Sequence, residues 1–218
     1  LSLCFMDAFK FSTINSGKTD IYLLQYDSFD IEDHFEVLTP QELERCLSFG
    51  HIRRKREFVA TRILRHAIFG FQHIHYNANG APFLHNGSYI SISHCGNTVA
   101  IAVNSNFSLG LDLEVPRVNI QTIMHKFLSI EENLLFDCND HLVVSKIWSC
   151  KEALYKLAGR KQILFSSELH LSPITDSEWK GRIINDDHEL HVNLNIFERQ
   201  DLIITINKTP VERIEHHT

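Results

Sequence analysis

The order of apolar and polar positions predicts most of the elements of this chain. Residues 18–26, 89–94, 99–103, 109–114, 191–197 and 202–206 read as strands, most of them by alternation, with Cys95-Gly96-Asn97 and 198–201 turning the chain between paired runs. Thr39-Pro40-Gln41-Glu42 places a cap residue before proline and opens a helix. The helical pattern continues, with a break at Gly50, through 51–69. There Ala60, Leu64, Ala67, Ile68 and Phe71 make an apolar face and leave Arg56, Arg62 and Arg65 on another. Residues 77–82 are rich in turn formers. After Pro116, 123–132 reads as helical, and Ser129-x-x-Glu132 is a capping box that starts a new helix. Phe127 and Leu128 precede it, either as a hydrophobic staple or as part of a partner-binding patch. Residues 145–159 form a helix closed by Gly159. Its buried face is Ile147, Cys150, Leu154, Leu157 and Ala158, while Ser149, Glu152 and Lys156 line another.

Each half of the chain thus gives a long helix, a linker and an alternating hairpin, a weak internal repeat. The fold expected is α+β. Two halves, 1–107 and 108–218, each pack a small antiparallel sheet on a long helix and face one another across a cleft. With 218 residues, 44% hydrophobic and 22% charged, the chain has the length for this. No run approaches a membrane span. The start, LSLCFMDAF, has no basic lead or small-residue cleavage pattern, so it does not read as a secretory signal, and the expected location is cytoplasmic. Five cysteines are odd in number, scattered and without a C-x-x-C pair, against both a disulfide framework and a zinc site. Of the 14 histidines none forms H-E-x-x-H, and His73, His75, His216 and His217 read as surface residues. The formal charge of −6 argues against general nucleic-acid binding.

Chemistry concentrates at Leu109-Gly110-Leu111-Asp112-Leu113-Glu114. As a strand it buries the leucines on one face and points Gly110, Asp112 and Glu114 to the other, toward solvent. Two carboxylates so placed repel unless a cation sits between them, and hard oxygen donors suit Mg²⁺. The plain alternative is a solvated acidic face. The cations of 53–56, with Arg62 and Arg65, would repel one another on a free helix, which points to an anionic partner or to a solvated basic face. His94 sits where strand becomes turn, within reach of a ligand or simply structural. Glu152 and Lys156 have the spacing of an ordinary i,i+4 ion pair.

Taken together these stretches resemble the phosphopantetheinyl transferases, in particular the surfactin-synthetase type, a single-chain pseudo-dimer. Gly110-Leu111-Asp112-Leu113-Glu114-Val115 resembles the family's G-[IV]-D-[IV]-E. Trp148-Ser149-Cys150-Lys151-Glu152-Ala153-Leu154-Tyr155-Lys156 resembles its W-x-x-K-E-[AS]-x-x-K. Asn79-Gly80-Ala81-Pro82 and Ile92-Ser93-His94-Cys95-Gly96 are similar to its G-K-P and [IL]-S-H-[ST] segments, with Ala81 in place of lysine and Cys95 in place of a small hydroxyl residue. The resemblance runs from about Arg53 to Gly159.

That resemblance implies transfer of the phosphopantetheine arm of coenzyme A to a serine of an acyl or peptidyl carrier protein, with release of adenosine 3′,5′-bisphosphate. The carrier would belong to a fatty-acid, polyketide, polyunsaturated-fatty-acid or nonribosomal-peptide synthase. Asp112, Glu114 and Glu152 would hold Mg²⁺, or Mn²⁺ in its place, with Asp112 also among the coenzyme A contacts. Glu152 would act as general base and Lys156 would meet the leaving phosphate. Lys151 and His94, with Ser93, would contact phosphate. Arg62, with Arg53 or Arg56, would bind the 3′-phosphate, and the backbone of Gly80, Ala81 and Pro82 would face the nucleotide. A monomer is expected, with the acidic strand in its second half and the basic helix in its first. Asp112→Ala should stop turnover and leave the fold intact, and Phe127 and Leu128 should lie at the carrier surface, since Phe127-Leu128-Ser129-Ile130-Glu131-Glu132 resembles the family's F-[FL]-[ST]-x-x-E segment beside the attacking serine. The competing readings are a non-catalytic coenzyme A or nucleotide-binding module and another Mg²⁺-dependent phosphoester enzyme, such as a nuclease.

Overall fold

The computed structural model describes residues 8–216. The stretch on which the secretory-signal reading rests, with Cys4, lies almost wholly outside them, as does His217.

Two antiparallel sheets organise the chain. β1 (Phe9–Ser16) and β2 (Thr19–Tyr26) form a hairpin in which Gly17, at φ +64°, takes the left-handed conformation that a two-residue turn needs. α1 (Pro40–Ser48) follows, its capping box made in full: Thr39 Oγ1 accepts from Glu42 N, and Glu42 Oε2 accepts from Thr39 N. α2 (Ile52–Phe69) begins after the break at Gly50. A small hairpin, β3 (His75–Tyr76) and β4 (Pro82–Phe83), leads to β5 (Tyr89–Cys95) and β6 (Thr98–Asn104). The first sheet has the order β1-β2-β6-β5.

The second sheet starts with β7 (Leu111–Glu114). A 3₁₀ turn (Val118–Lys126), α3 (Ile130–Leu135) and α4 (His141–Ala158) follow. Then come α5 (Phe165–Glu168), β8 (Leu169–Pro173), β9 (Glu178–Ile184), β10 (His188–Arg199), β11 (Leu202–Asn207) and β12 (Glu212–Glu215). Its order is β7-β11-β10-β9-β8, with β12 also on β10. Both sheets carry a helix, but the second has six strands and the first four.

Period-two alternation sorts the apolar residues into three cores. Val99 and Ile101 of β6, with Leu24, pack under Phe58, Val59 and Leu64 of α2. Ala100 and Ala102, on the other face, meet Ile21, Leu111, Leu113, Ile204 and Ile206 between the sheets. Ile147, Cys150 and Leu154 of α4 pack on Leu169, Ile183 and Leu194. The layers therefore run helix, sheet, sheet, helix. On α2 the apolar face differs from the one expected. Ala67 and Phe71 are exposed, whereas Arg62 and Arg65 are buried with Glu42 between them, Arg62 Nε at 3.0 Å and Arg65 Nη1 at 3.2 Å. Glu42 offsets one of these two buried charges; burial still disfavours the charged form of Arg65, whose Nε has no hydrogen-bond partner among the described residues.

No helix among the described residues is long and apolar enough to cross a membrane.

Candidate active site

The acidic face of β7 is not solvated. Asp112 is 7% exposed and Glu114 9%. The face that carries them packs against α4, and Gly110 is what allows the approach: a Cβ there would lie 2.2 Å from the Ala153 carbonyl oxygen and 2.8 Å from Leu157 Cγ. The backbone of α4 thus comes down onto the strand and sets its Glu152 and Lys156 turn over Asp112. The premise behind an innocuous Asp112→Ala substitution is corrected accordingly, since Asp112 is a buried, bonded group.

One edge of β7 pairs with β11, and the other faces β5 of the first sheet without a backbone ladder. Side chains fill that gap. Ser91 Oγ accepts from Leu111 N at 2.9 Å, and Ser93 Oγ accepts from Leu113 N at 3.0 Å while donating to Asp112 Oδ1 at 3.2 Å. The two serines satisfy buried donors that no strand reaches. Ser91→Ala, which strands the Leu111 N–H, should lower the unfolding free energy by roughly 1 to 3 kcal/mol. Chemical denaturation checks this, and an unchanged midpoint would mean that water replaces the hydroxyl.

Lys156 Nζ donates to Asp112 Oδ1 at 3.2 Å and to the Leu111 carbonyl at 2.5 Å. Among the described residues it makes no ion pair with Glu152, so the ordinary i,i+4 pair is not formed. Glu114 accepts from Val115 N and from Arg117 Nη2, each at 3.0 Å. Burial pushes the Glu152 carboxyl up to about 7; the negative charges of Asp112 and Glu114 add to this, and Lys156 opposes it. Burial also raises Asp112 against the pull of Lys156, and raises Glu114 against Arg117.

Among the described residues no three Asp, Glu, His or Cys side chains close on one point as a metal cage. What Asp112, Glu114 and Glu152 have is the donor chemistry for a hard cation: oxygen donors on β7 and the facing turn of α4, each pushed toward its neutral form by burial even with Lys156 or Arg117 beside it.

A cavity of about 450 Å³ opens beside this cluster, with walls from α2, β5 and the β3–β4 hairpin on one side and the end of α4 on the other. Of the residues expected at a ligand, Arg62, Gly80, Ala81, Pro82, His94 and Lys156 line it. Ser93, Asp112, Glu114 and Glu152 are not among the lining residues. Arg53 is exposed and outside the lining, and Arg56 is occupied elsewhere, donating through Nε to the Phe29 carbonyl at 2.9 Å. Lys151 departs furthest from a phosphate contact. It is fully buried, and its ammonium donates to the Phe127, Phe165 and Leu169 carbonyls and to Glu132. Nor is the Ala81 backbone free for nucleotide: its N–H donates to Asn77 Oδ1 and its carbonyl accepts from Asn77 N, both at 3.0 Å. Asn79 Nδ2 donates to the Gly159 carbonyl at 2.6 Å, pinning this turn against the end of α4.

Arg54, one of the cations of 53–56, lines the cavity as well, and sequence reasoning missed Arg45, Glu57, Tyr76 and Arg160, which also line it. Arg45 makes no ion pair among the described residues and rests by its Tyr76 and Phe58 rings, 5.6 and 5.9 Å from their centroids. The only signal for it was a lone arginine one turn before the end of a capped helix. Phe127, expected at a surface, is 1% exposed and meets Trp148 edge-on at 5.1 Å, and Leu128 is partly buried on the same core. The exposed apolar side chains of α3 nearby are Ile130, Leu134 and Leu135.

Residues 108–207, which hold Asp112, Glu114, Glu152 and Lys156, match the family model of the 4′-phosphopantetheinyl transferase superfamily. Over 168 residues, 67% of this chain and 71% of the relative, the sequence is 29% identical to the 4′-phosphopantetheinyl transferase HetI of Nostoc sp.. The strand that carries the carboxylates and the helix that faces it are thus the part of the chain similar to that superfamily.

Proposed function

We propose that this chain transfers the 4′-phosphopantetheine arm of coenzyme A to a serine of a carrier protein. The observation that carries the reading is Glu152, a carboxylate pushed up to about 7 beside Asp112 and Lys156, one turn of helix before the Lys156 that lines a cavity whose charged lining is mostly cationic. A phosphate-rich nucleotide suits that lining, and a carboxylate set beside Asp112 and Lys156 suits removal of a serine proton. Bound by Asp112, Glu114 and Glu152, Mg²⁺ or Mn²⁺ supplies neutralisation of the pyrophosphate charge.

In this reading Glu152 accepts the proton of the carrier serine as its oxygen forms a bond to the β-phosphorus of coenzyme A. The bond from that phosphorus to the bridging oxygen breaks, and adenosine 3′,5′-bisphosphate leaves. Lys156 holds its ammonium where the leaving phosphate gathers charge. Arg45, Arg54, Arg62 and His94 bind phosphate, Arg45 with its guanidinium free of any acid partner among the described residues. Ser93 acts by positioning Asp112. Ile130 and Leu134, exposed on α3, offer the apolar contact for the carrier in place of Phe127. The halves 1–107 and 108–218 are related by a pseudo-twofold, as in the surfactin-synthetase type, so that one chain supplies both walls of the cavity.

Incubation with coenzyme A, Mg²⁺ and a panel of apo carrier domains from fatty-acid, polyketide and nonribosomal-peptide synthases tests this. Intact mass should show one carrier gaining a single phosphopantetheine. Tight binding of coenzyme A with every carrier left unmodified would leave a binding module, and hydrolysis of a nucleic acid in a parallel assay would indicate a nuclease.

A further inference from the structure

Glu57 is the one acidic side chain, among the described residues, that lines the cavity. Its neighbours there are basic side chains. His94 Nε2 lies 3.0 Å from Glu57 Oε1, and Arg54 Nη1 pairs with the same oxygen. Arg54 and His94 touch each other as well, Nη1 to Nε2 at 3.3 Å. One carboxylate oxygen therefore sits between two groups that repel whenever the imidazole is charged. The Arg54 and His94 side chains are 51% and 42% exposed, while Glu57 is tucked beneath them at 12%.

The other cations of the lining are arranged differently. Arg62 pairs with Glu42, Arg160 with Glu168 and Lys156 with Asp112, and none of these acids lines the cavity. Only Glu57 competes inside the space an anion would enter. Burial pushes its carboxyl up, but the hydrogen bond and charge of His94, with Arg54, outweigh burial and hold it below the ordinary carboxylate range. It is thus an anion at neutral pH.

We infer that Glu57 is the cavity's resident counter-anion, holding Arg54 and His94 in the unliganded protein and giving them up to a phosphate of the substrate. This deepens the reading of the cavity as a coenzyme A site and rests on it. The exchange has a definite cost. The phosphate gains charge-assisted hydrogen bonds from Arg54 and His94, while Glu57 loses its own and is left beside a like charge. Affinity is then lower than the cations alone would give. The same carboxylate, returning to Arg54 and His94, assists release of the bisphosphate product. Glu57 is a specificity-determining residue in this sense, since a ligand without phosphate has nothing with which to displace it.

The test is calorimetric titration of coenzyme A, and of pantetheine as the phosphate-free control, into the intact wild-type chain and the charge-removing variants Glu57→Gln and Glu57→Ala. A melting curve checks each variant, and either one that folds decides the question. Both should bind coenzyme A more tightly, by roughly tenfold, which is about 1.4 kcal/mol. The gain should vanish when His94→Ala and Arg54→Gln are added. Damage to the cavity weakens binding, so a gain cannot arise from a merely structural role. Coenzyme A binding that is equal or weaker in a folded variant overturns the inference and leaves the coenzyme A reading standing. An equal gain with pantetheine overturns it too. Wild-type protein that binds no coenzyme A takes down both.

Discussion

Lys151→Met is expected to lower the unfolding free energy by about 3 to 5 kcal/mol, the usual loss when one partner of a buried ion pair is removed. The Lys151 ammonium has four oxygen partners: the Phe127 carbonyl at 2.5 Å, Glu132 Oε2 at 2.6 Å, the Leu169 carbonyl at 2.7 Å and the Phe165 carbonyl at 2.9 Å. Glu132 in turn accepts from Ser129 N as the α3 capping box and from Leu171 N at 2.8 Å. One buried pair thus joins α3, α4, α5 and β8. Methionine fills the volume but leaves the Glu132 carboxylate without its cation where water does not reach. For a chain of this size the melting temperature should fall by about 6 to 20 °C. Adding Glu132→Gln should recover part of that loss, because it removes the stranded charge. Thermal denaturation and coenzyme A titration together decide what Lys151 does. A variant that melts normally yet loses coenzyme A would return Lys151 to the phosphate.

What the sequence showed and what it hid divide along the range of the interactions concerned. The start of α1, the capping box of α3 and the glycine end of α4 depend on residues within one turn, and each formed where expected. β5 and β10 follow from their own alternation, β6 and β11 from short apolar runs bounded by turns. β9 was hidden because Gly181 interrupts the alternation of Trp179 and Ile183; the glycine sits there since a Cβ would come 2.6 Å from Leu154 Cδ2. β1 escaped because only Phe9, Ile14 and Ser16 of its eight residues are buried. The carboxylates of β7 were legible as chemistry, but their burial was not. It follows from α4 closing on Gly110, a contact between residues more than forty positions apart. Likewise, Arg62 looks free in sequence because Glu42, which holds it, lies on another helix.

Glu152→Gln should cost activity on the order of 10²- to 10⁴-fold, the usual contribution of a general base, with coenzyme A affinity far less affected. The proposed base also leaves a mark on stability that needs no turnover to observe. Its carboxyl is raised from an ordinary value of 4.5 to about 7, by burial first and by Asp112 and Glu114 next. Below the lower value the group is protonated in both the folded and the unfolded chain. Between the two values the folded chain keeps a proton that the unfolded chain has released, so stability falls as pH rises through the window. Above about 7 both forms are ionised and the full cost of the buried charge is present. Asp112 and Glu114 are shifted in the same direction and add to the slope. Melting curves in chelator on either side of the window should therefore show the protein less stable at the higher pH, with Glu152→Gln reducing that difference. If Asp112, Glu114 and Glu152 hold Mg²⁺ as proposed, adding it should raise the melting temperature most at the higher pH, where all three carboxylates are ionised, and hardly at the lower. A wild-type melting temperature that is flat across the window, or a Mg²⁺ effect equal at both ends, would remove the three carboxylates as the cation site and Glu152 as the base beside it.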